Sequence, residues 1–236
     1  MFKGSRYDGK FTPPGLTTSL TYPGYAGGIT WGSVSIDADR HLLITNSTRL
    51  ATRVRLLPRE EADRKRLFPM TEERPANIGG AVAQAGTPYG VDVMPFLSPL
   101  NVPCQQPPYG MLSAIDLVSQ KIVWTQPLGS ARDSGPFKIP SGLPFTMGLP
   151  NKGGSVVTRG GVTFIGATQD AYLRAFETVT GKLLWQARLP AAGNANPVTY
   201  LSKDSGRQFV VISASGHGGL QNHTSDHIVA YALPPR

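Results

Sequence analysis

Leu112-Ser113-Ala114-Ile115-Asp116-Leu117-Val118-Ser119-Gln120-Lys121-Ile122-Val123-Trp124 aligns position by position with Leu173-Arg174-Ala175-Phe176-Glu177-Thr178-Val179-Thr180-Gly181-Lys182-Leu183-Leu184-Trp185, at a constant offset of 61 residues. Each copy reads as an apolar strand, an acidic-led polar turn with Gln or Gly before Lys, and a second apolar strand ending in Trp. Alternation with period two around turn residues marks a β-hairpin rather than a helix. Supersecondary units recurring at such a period point to a propeller or solenoid, whose neighbours bury one another's faces. Four such units fit in the 236 residues if the period persists.

Further strand signals surround the copies. Ser33-Val34-Ser35-Ile36 and Leu42-Leu43-Ile44-Thr45 flank a polar loop, and Ser155-Val156-Val157-Thr158 and Val162-Thr163-Phe164-Ile165 flank Arg159-Gly160-Gly161. Residues 208–213 and 227–233 read as two more strands, and the second stops before any turn or Trp. The 27 glycines and 21 prolines, about a fifth of the chain, are too many for a helical protein. An all-β class follows, with residues 1–236 as one propeller domain. The exception is a charged insertion near 53–75, where seven basic and five acidic side chains fall between Arg53 and Arg74. Within it, residues 58–67 read as a short helix, with Pro58 at its first position and Glu60–Arg64 and Glu61–Lys65 at supporting spacing. A net charge of +8 suits an anionic partner. The charged segment nevertheless lacks the interleaved aromatics of a nucleic-acid surface, so no nucleic-acid partner is expected.

Cys104 is the single cysteine, which excludes an internal disulfide. No apolar run approaches a membrane span, and no targeting signal is present. The nucleophile elbow, Walker A loop, G-x-G-x-x-G and H-E-x-x-H are all absent. His217, His223 and His227 cluster near the C-terminus, but Gly218-Gly219 and Ile228-Val229 around them disfavour the helix that would face the last two together. Asn46-Ser47-Thr48 and Asn222-His223-Thr224 match the glycosylation triplet. Trp124 and Trp185 belong to the repeat and are expected to dock between neighbouring sheets. Trp31 stands outside it, after Gly27-Gly28-Ile29-Thr30. Its roles in a core and in stacking are equally open, and the glycine pair suits close approach to a flat group.

The copy at residues 175–185 resembles the tryptophan-docking motif of quinoprotein dehydrogenases that use pyrroloquinoline quinone (PQQ). The resemblance extends over Phe11-Thr12-Pro13-Pro14, residues 103–110, Arg132-Asp133-Ser134, residues 189–200 and residues 226–234. These are similar to the C-terminal part of membrane-bound glucose and quinate/shikimate dehydrogenases. It implies about half of an eight-bladed propeller with four-stranded antiparallel blades. The implied activity is PQQ-dependent oxidation of a sugar or cyclic polyol, with Ca²⁺ or Mg²⁺ as a Lewis acid and ubiquinone as electron acceptor. The implied location is the periplasmic face of the inner membrane, reached through N-terminal helices absent here. The general base is expected in a preceding propeller half, so the chain reads as a C-terminal fragment without activity of its own. A non-catalytic propeller fragment or assembly scaffold is the competing class.

The same resemblance assigns four cofactor-binding positions and no catalytic residue. Trp31 matches the tryptophan of the cofactor-contact segment, with Thr30 where related enzymes carry Asn. Asn46 matches an asparagine suited to hydrogen-bonding a quinone carbonyl or carboxylate through its amide. Asp170 and His217 match an aspartate and a histidine beside the cofactor. The metal ligands stay unknown.

Overall fold

The computed structural model describes residues 2–69, 80–218 and 223–233. In chain order the strands are β1 (Ser19–Thr21), β2 (Val34–Asp37), β3 (Leu42–Thr48), β4 (Thr52–Pro58), β5 (Gly80–Ala83), β6 (Tyr89–Pro95), β7 (Gly110–Asp116), β8 (Lys121–Pro127), β9 (Ser155–Val157), β10 (Val162–Ile165), β11 (Tyr172–Glu177), β12 (Leu183–Arg188), β13 (Val198–Leu201), β14 (Gln208–Ala214) and β15 (His227–Ala232). Among the described residues there is one α-helix, α1 (Arg59–Arg64). No helix among them is long and apolar enough to cross a membrane. Contacts divide the chain into two units, residues 1–28 with 49–106 and residues 29–48 with 107–236.

The first unit is a four-stranded antiparallel sheet ordered β1-β4-β6-β5. Leu20, Ala51 and Phe96 form its core, with Tyr22 packed against them. Helix α1 buries Ala62 completely and is shorter than the sequence suggests. Pro58 is its N-cap, with extended backbone (φ −50°, ψ 148°), because Pro58 is still paired to Tyr89 as the last residue of β4. Glu61 pairs with Lys65 at 2.8 Å and also with Arg55 of β4, which draws the helix onto the sheet. No Glu60–Arg64 pair forms among the described residues. Residues 70–75 of the charged segment lie outside the described residues, as do Gly219, Asn222 and Pro234.

The second unit carries three successive antiparallel sheets, β2-β3-β7-β8, β9-β10-β11-β12 and β13-β14-β15. They are blades of a partial β-propeller. Among the described residues there are four sheets, the number the 61-residue spacing suggests, but only three share this unit. The first blade is interrupted between β3 and β7 by residues 49–106.

Both repeat copies form the expected hairpins, and their equivalence reaches individual residues. The β7–β8 pairing slips between Ala114 and Ile115, and the β11–β12 pairing slips between Ala175 and Phe176, the matching positions. Each turn passes through the left-handed region one residue before its lysine, at Gln120 (φ 59°) and Gly181 (φ 73°). In the first copy Asp116 Oδ1 accepts the Val118 and Ser119 amides, which holds the turn closed.

The core lies between the blades. Ile44, Leu112, Leu128 and Ile165 are fully buried between the first and second, and Leu173, Leu189 and Ile212 sit between the second and third. Trp124 is the link the repeat predicts. Its indole Nε1 donates to Thr178 O at 3.0 Å, and its ring covers Gly181, where a Cβ would come within 2.8 Å. Gln126 Nε2 adds a bond to Gly181 O at 2.8 Å. Trp185 instead meets Tyr231 edge-on at 5.0 Å and stays 38% exposed, because no described turn of the third blade lies over it.

Candidate functional site

In each blade the first strand starts, and the second strand ends, at the same end of the sheet. Residues 30–33, 46–48, 151–154, 166–171, 193–197 and 215–217 are therefore all carried to one end of the unit. Trp31, Asn46, Asp170 and His217 all fall in these segments, although 186 positions separate the first from the last.

Main-chain contact between blades holds these segments together. Gly32 lies so close to the 153–154 peptide that a Cβ on it would fall 2.0 Å from Gly153, and Gly154 packs reciprocally on Gly32 O. This is the close approach that a glycine before β2 makes possible. Asn196 Nδ2 reaches Gly32 O at 3.3 Å from the third blade, and Ser35 and Ser155 join β2 to β9 at 2.6 Å. Trp31, one residue from this anchor, is 58% exposed. Its ring is therefore exposed on a fixed backbone and takes no part in the core.

Asn46 is 2% exposed. Its Nδ2 donates to Asn151 Oδ1 at 2.7 Å and to Gly153 O at 3.0 Å. Asn151 Nδ2 in turn donates to Ser47 O and Leu149 O, and Thr48 Oγ1 exchanges bonds with the Asn151 main chain. Both Asn46 donors are thus engaged within the protein, so only its Oδ1, an acceptor, remains for a ligand. That burial also removes Asn46 as a glycosylation acceptor.

Asp170 is wholly buried, and every donor around it belongs to the chain. Ser130 N (2.7 Å) and Ser130 Oγ (2.8 Å) bond one oxygen, Thr168 Oγ1 (2.6 Å) bonds the other, and Arg174 bridges both. Burial pushes the carboxyl pKa up, but the hydrogen bonds and charge of Arg174, with Thr168 and Ser130, outweigh it and hold the group below the ordinary range. Arg188 adds a bond to Asp170 O at 2.7 Å while its guanidinium clasps Asp133. Asp170 therefore ties the 166–171 turn to Ser130 and Arg174. Beside it a cleft of about 200 Å³ opens between β8 and β11–β12, lined among others by Ser130, Tyr172 and Arg174. Its buried cation is already neutralised by Asp170.

His217 is half-buried. Its pKa lies below the ordinary value, first because burial disfavours the imidazolium and second because the Lys152 ammonium is nearby. Neither Lys152 nor Asn194 carries a signal in the sequence. Asn194 is 3% exposed, and neither its Nδ2 nor its Oδ1 has a hydrogen-bond partner. Thr30 Oγ1 is a further orphaned buried atom at this end. Native interiors satisfy nearly all such groups, so the unpartnered Asn194 amide and Thr30 hydroxyl have the chemistry to meet a ligand that carries oxygens. A metal ion is not supported in the same way. No three His, Cys, Asp or Glu side chains among the described residues are placed to hold one, and the Asp170 oxygens are filled by donors.

Comparison with known proteins agrees with this architecture. The profile of the PQQ glucose/ethanol/alcohol dehydrogenase β-propeller domain matches residues 1–210. A probable quinate dehydrogenase (quinone) of Xanthomonas campestris pv. juglandis is 45% identical over 99% of this chain and 29% of its own length. The quinoprotein glucose dehydrogenase of Escherichia coli is 44% identical, again over 99% of this chain and 29% of that protein. The quinohemoprotein alcohol dehydrogenase structure from Comamonas testosteroni superposes on 84% of the chain with a TM-score of 0.53 at 22% identity, a likeness of fold. The chain spans about three-tenths of the length of these two curated relatives.

Proposed function

The chain belongs to the PQQ-dependent glucose/ethanol/alcohol dehydrogenase family, and from that membership we propose that it forms part of a quinoprotein dehydrogenase oxidising a hydroxyl of a sugar or cyclic polyol such as glucose, quinate or shikimate. Similarity over 99% of the chain carries this reading. The grouping of Trp31, Asn46 and His217 at one end of the unit supports it. PQQ, when bound, supplies the redox chemistry as a hydride acceptor. The chain's own residues do the orienting. Trp31 offers a stacking face, Asn46 an acceptor oxygen on a rigid strand, and His217 a largely neutral imidazole near physiological pH. Asp170 and Arg174 hold the turn between β10 and β11 in place. Onward transfer to ubiquinone, Ca²⁺ or Mg²⁺ as metal, and a periplasm-facing membrane location are part of the same proposal and rest on the resemblance.

Titration of the purified chain with PQQ and Ca²⁺, followed by quinone absorbance and tryptophan fluorescence, tests the reading. A saturable spectral shift that Trp31→Ala abolishes is expected. Absence of any shift would favour a non-catalytic scaffold and refute the assignment.

A further inference from the structure

Lys152 is held in place from both sides. Asn151 before it is locked to Asn46, and Gly153 after it accepts from Asn46 and lies against Asn194 O. Its own N–H donates to Ala167 O at 2.9 Å. The side chain is half-buried, and its ammonium makes no hydrogen bond or ion pair with any described residue. Asp170, an acid held at this same end, is already spent on Arg174. Burial lowers the Lys152 pKa, and its charge in turn disfavours the His217 imidazolium. A cation on a fixed main chain that has lost part of its solvent without gaining a counter-ion is unusual, because such charges are normally paired. The orphaned Asn194 amide lies on the segment that touches Gly153, and Gly216 N donates to Ala192 O at 2.9 Å, which ties the His217 loop to the same segment.

We propose that Lys152 and Asn194 together bind a carboxylate, the ammonium supplying the charge and the Asn194 Nδ2 a directional donor. The inference rests on the proposed quinoprotein function, which provides two sources of that group, the tricarboxylic cofactor and a hydroxy-acid substrate such as quinate. A neutral sugar offers none.

The test is equilibrium binding of PQQ, quinate and glucose, each separately, to the full chain and to its Lys152→Met, Lys152→Arg and Asn194→Leu variants, with circular dichroism to verify folding. Lys152→Met should weaken the carboxylate ligand by about 10–100-fold, Lys152→Arg should retain most of the affinity, and glucose should not respond. Asn194→Leu should weaken the same ligand as Lys152→Met. A loss confined to PQQ assigns the pair to the cofactor, and a loss confined to quinate assigns it to the substrate. Either supports the proposal. Wild-type affinity of Lys152→Met for both acids, or an equal loss for glucose, overturns it while leaving the family function intact. A wild-type chain that takes up neither PQQ nor quinate overturns both.

Discussion

Replacing Arg174 by Met would leave the Asp170 carboxylate wholly buried with its counter-charge gone. Ser130 N, Ser130 Oγ and Thr168 Oγ1 would still donate to it, but the two guanidinium contacts would be lost. Breaking one partner of a buried pair costs about 3–5 kcal/mol. For a body of 150–250 residues that is a fall in Tm of about 6–20 °C. All three tryptophans lie in the propeller unit, so urea or thermal unfolding followed by indole fluorescence reports that unit selectively. The pH dependence has a definite sign. In the native chain the Asp170 pKa is depressed, so its stabilisation is present above the unfolded carboxyl pKa and is lost as pH falls through the folded value. Without Arg174 burial dominates and raises that pKa, so the gap between variant and parent should narrow as acid protonates Asp170. Asp170→Asn combined with Arg174→Met should recover most of the loss, because Asn Oδ1 can take the Ser130 donors and its Nδ2 can donate to Thr168 Oγ1. A single-variant cost below about 1 kcal/mol, a net surface-pair value, would refute the reasoning. So would a double variant no more stable than Arg174→Met.

The two repeat turns should respond oppositely to substitution. Gly181→Ala meets both a positive φ and the Trp124 ring, and should cost well over the ~1 kcal/mol of backbone strain alone, whereas Gln120→Gly relieves the same strain and should stabilise by up to about 1 kcal/mol. Denaturant midpoints of the two variants decide this. Asn46→Ala strands the buried Gly153 carbonyl and the Asn151 side chain and should destabilise by about 1–3 kcal/mol; a neutral result would mean that water replaces the amide. NMR titration of His217 should give a pKa below the usual histidine value, rising toward it in Lys152→Met. Because the unfolded chain then binds more protons, the His217 contribution makes stability fall as pH drops through about 6.5 and leaves it unchanged above.

How much was legible follows from the range of each interaction. The hairpins of the repeat, their turn residues and the placement of Trp124 are local in sequence or copied within it, so alternation and turn chemistry determined them. The interruption of the first blade was not legible, because pairing of β3 with β7 joins Thr48 to Gly110 across a separate sheet and no local signal marks that return. Pro58 reads as a helix start, and its pairing with Tyr89, which no local signal marks, made it the end of a strand. Trp31, Asn46, Asp170 and His217 were found through resemblance, but what they can do depended on their partners. The enclosure of Asp170 by Ser130 and Arg174, and the engagement of both Asn46 donors, came from burial. Lys152 and Asn194 are ordinary loop residues in the sequence. They became candidates only where packing left one charge and one amide without partners, because desolvation is a property of the assembled blades and not of any segment of the chain.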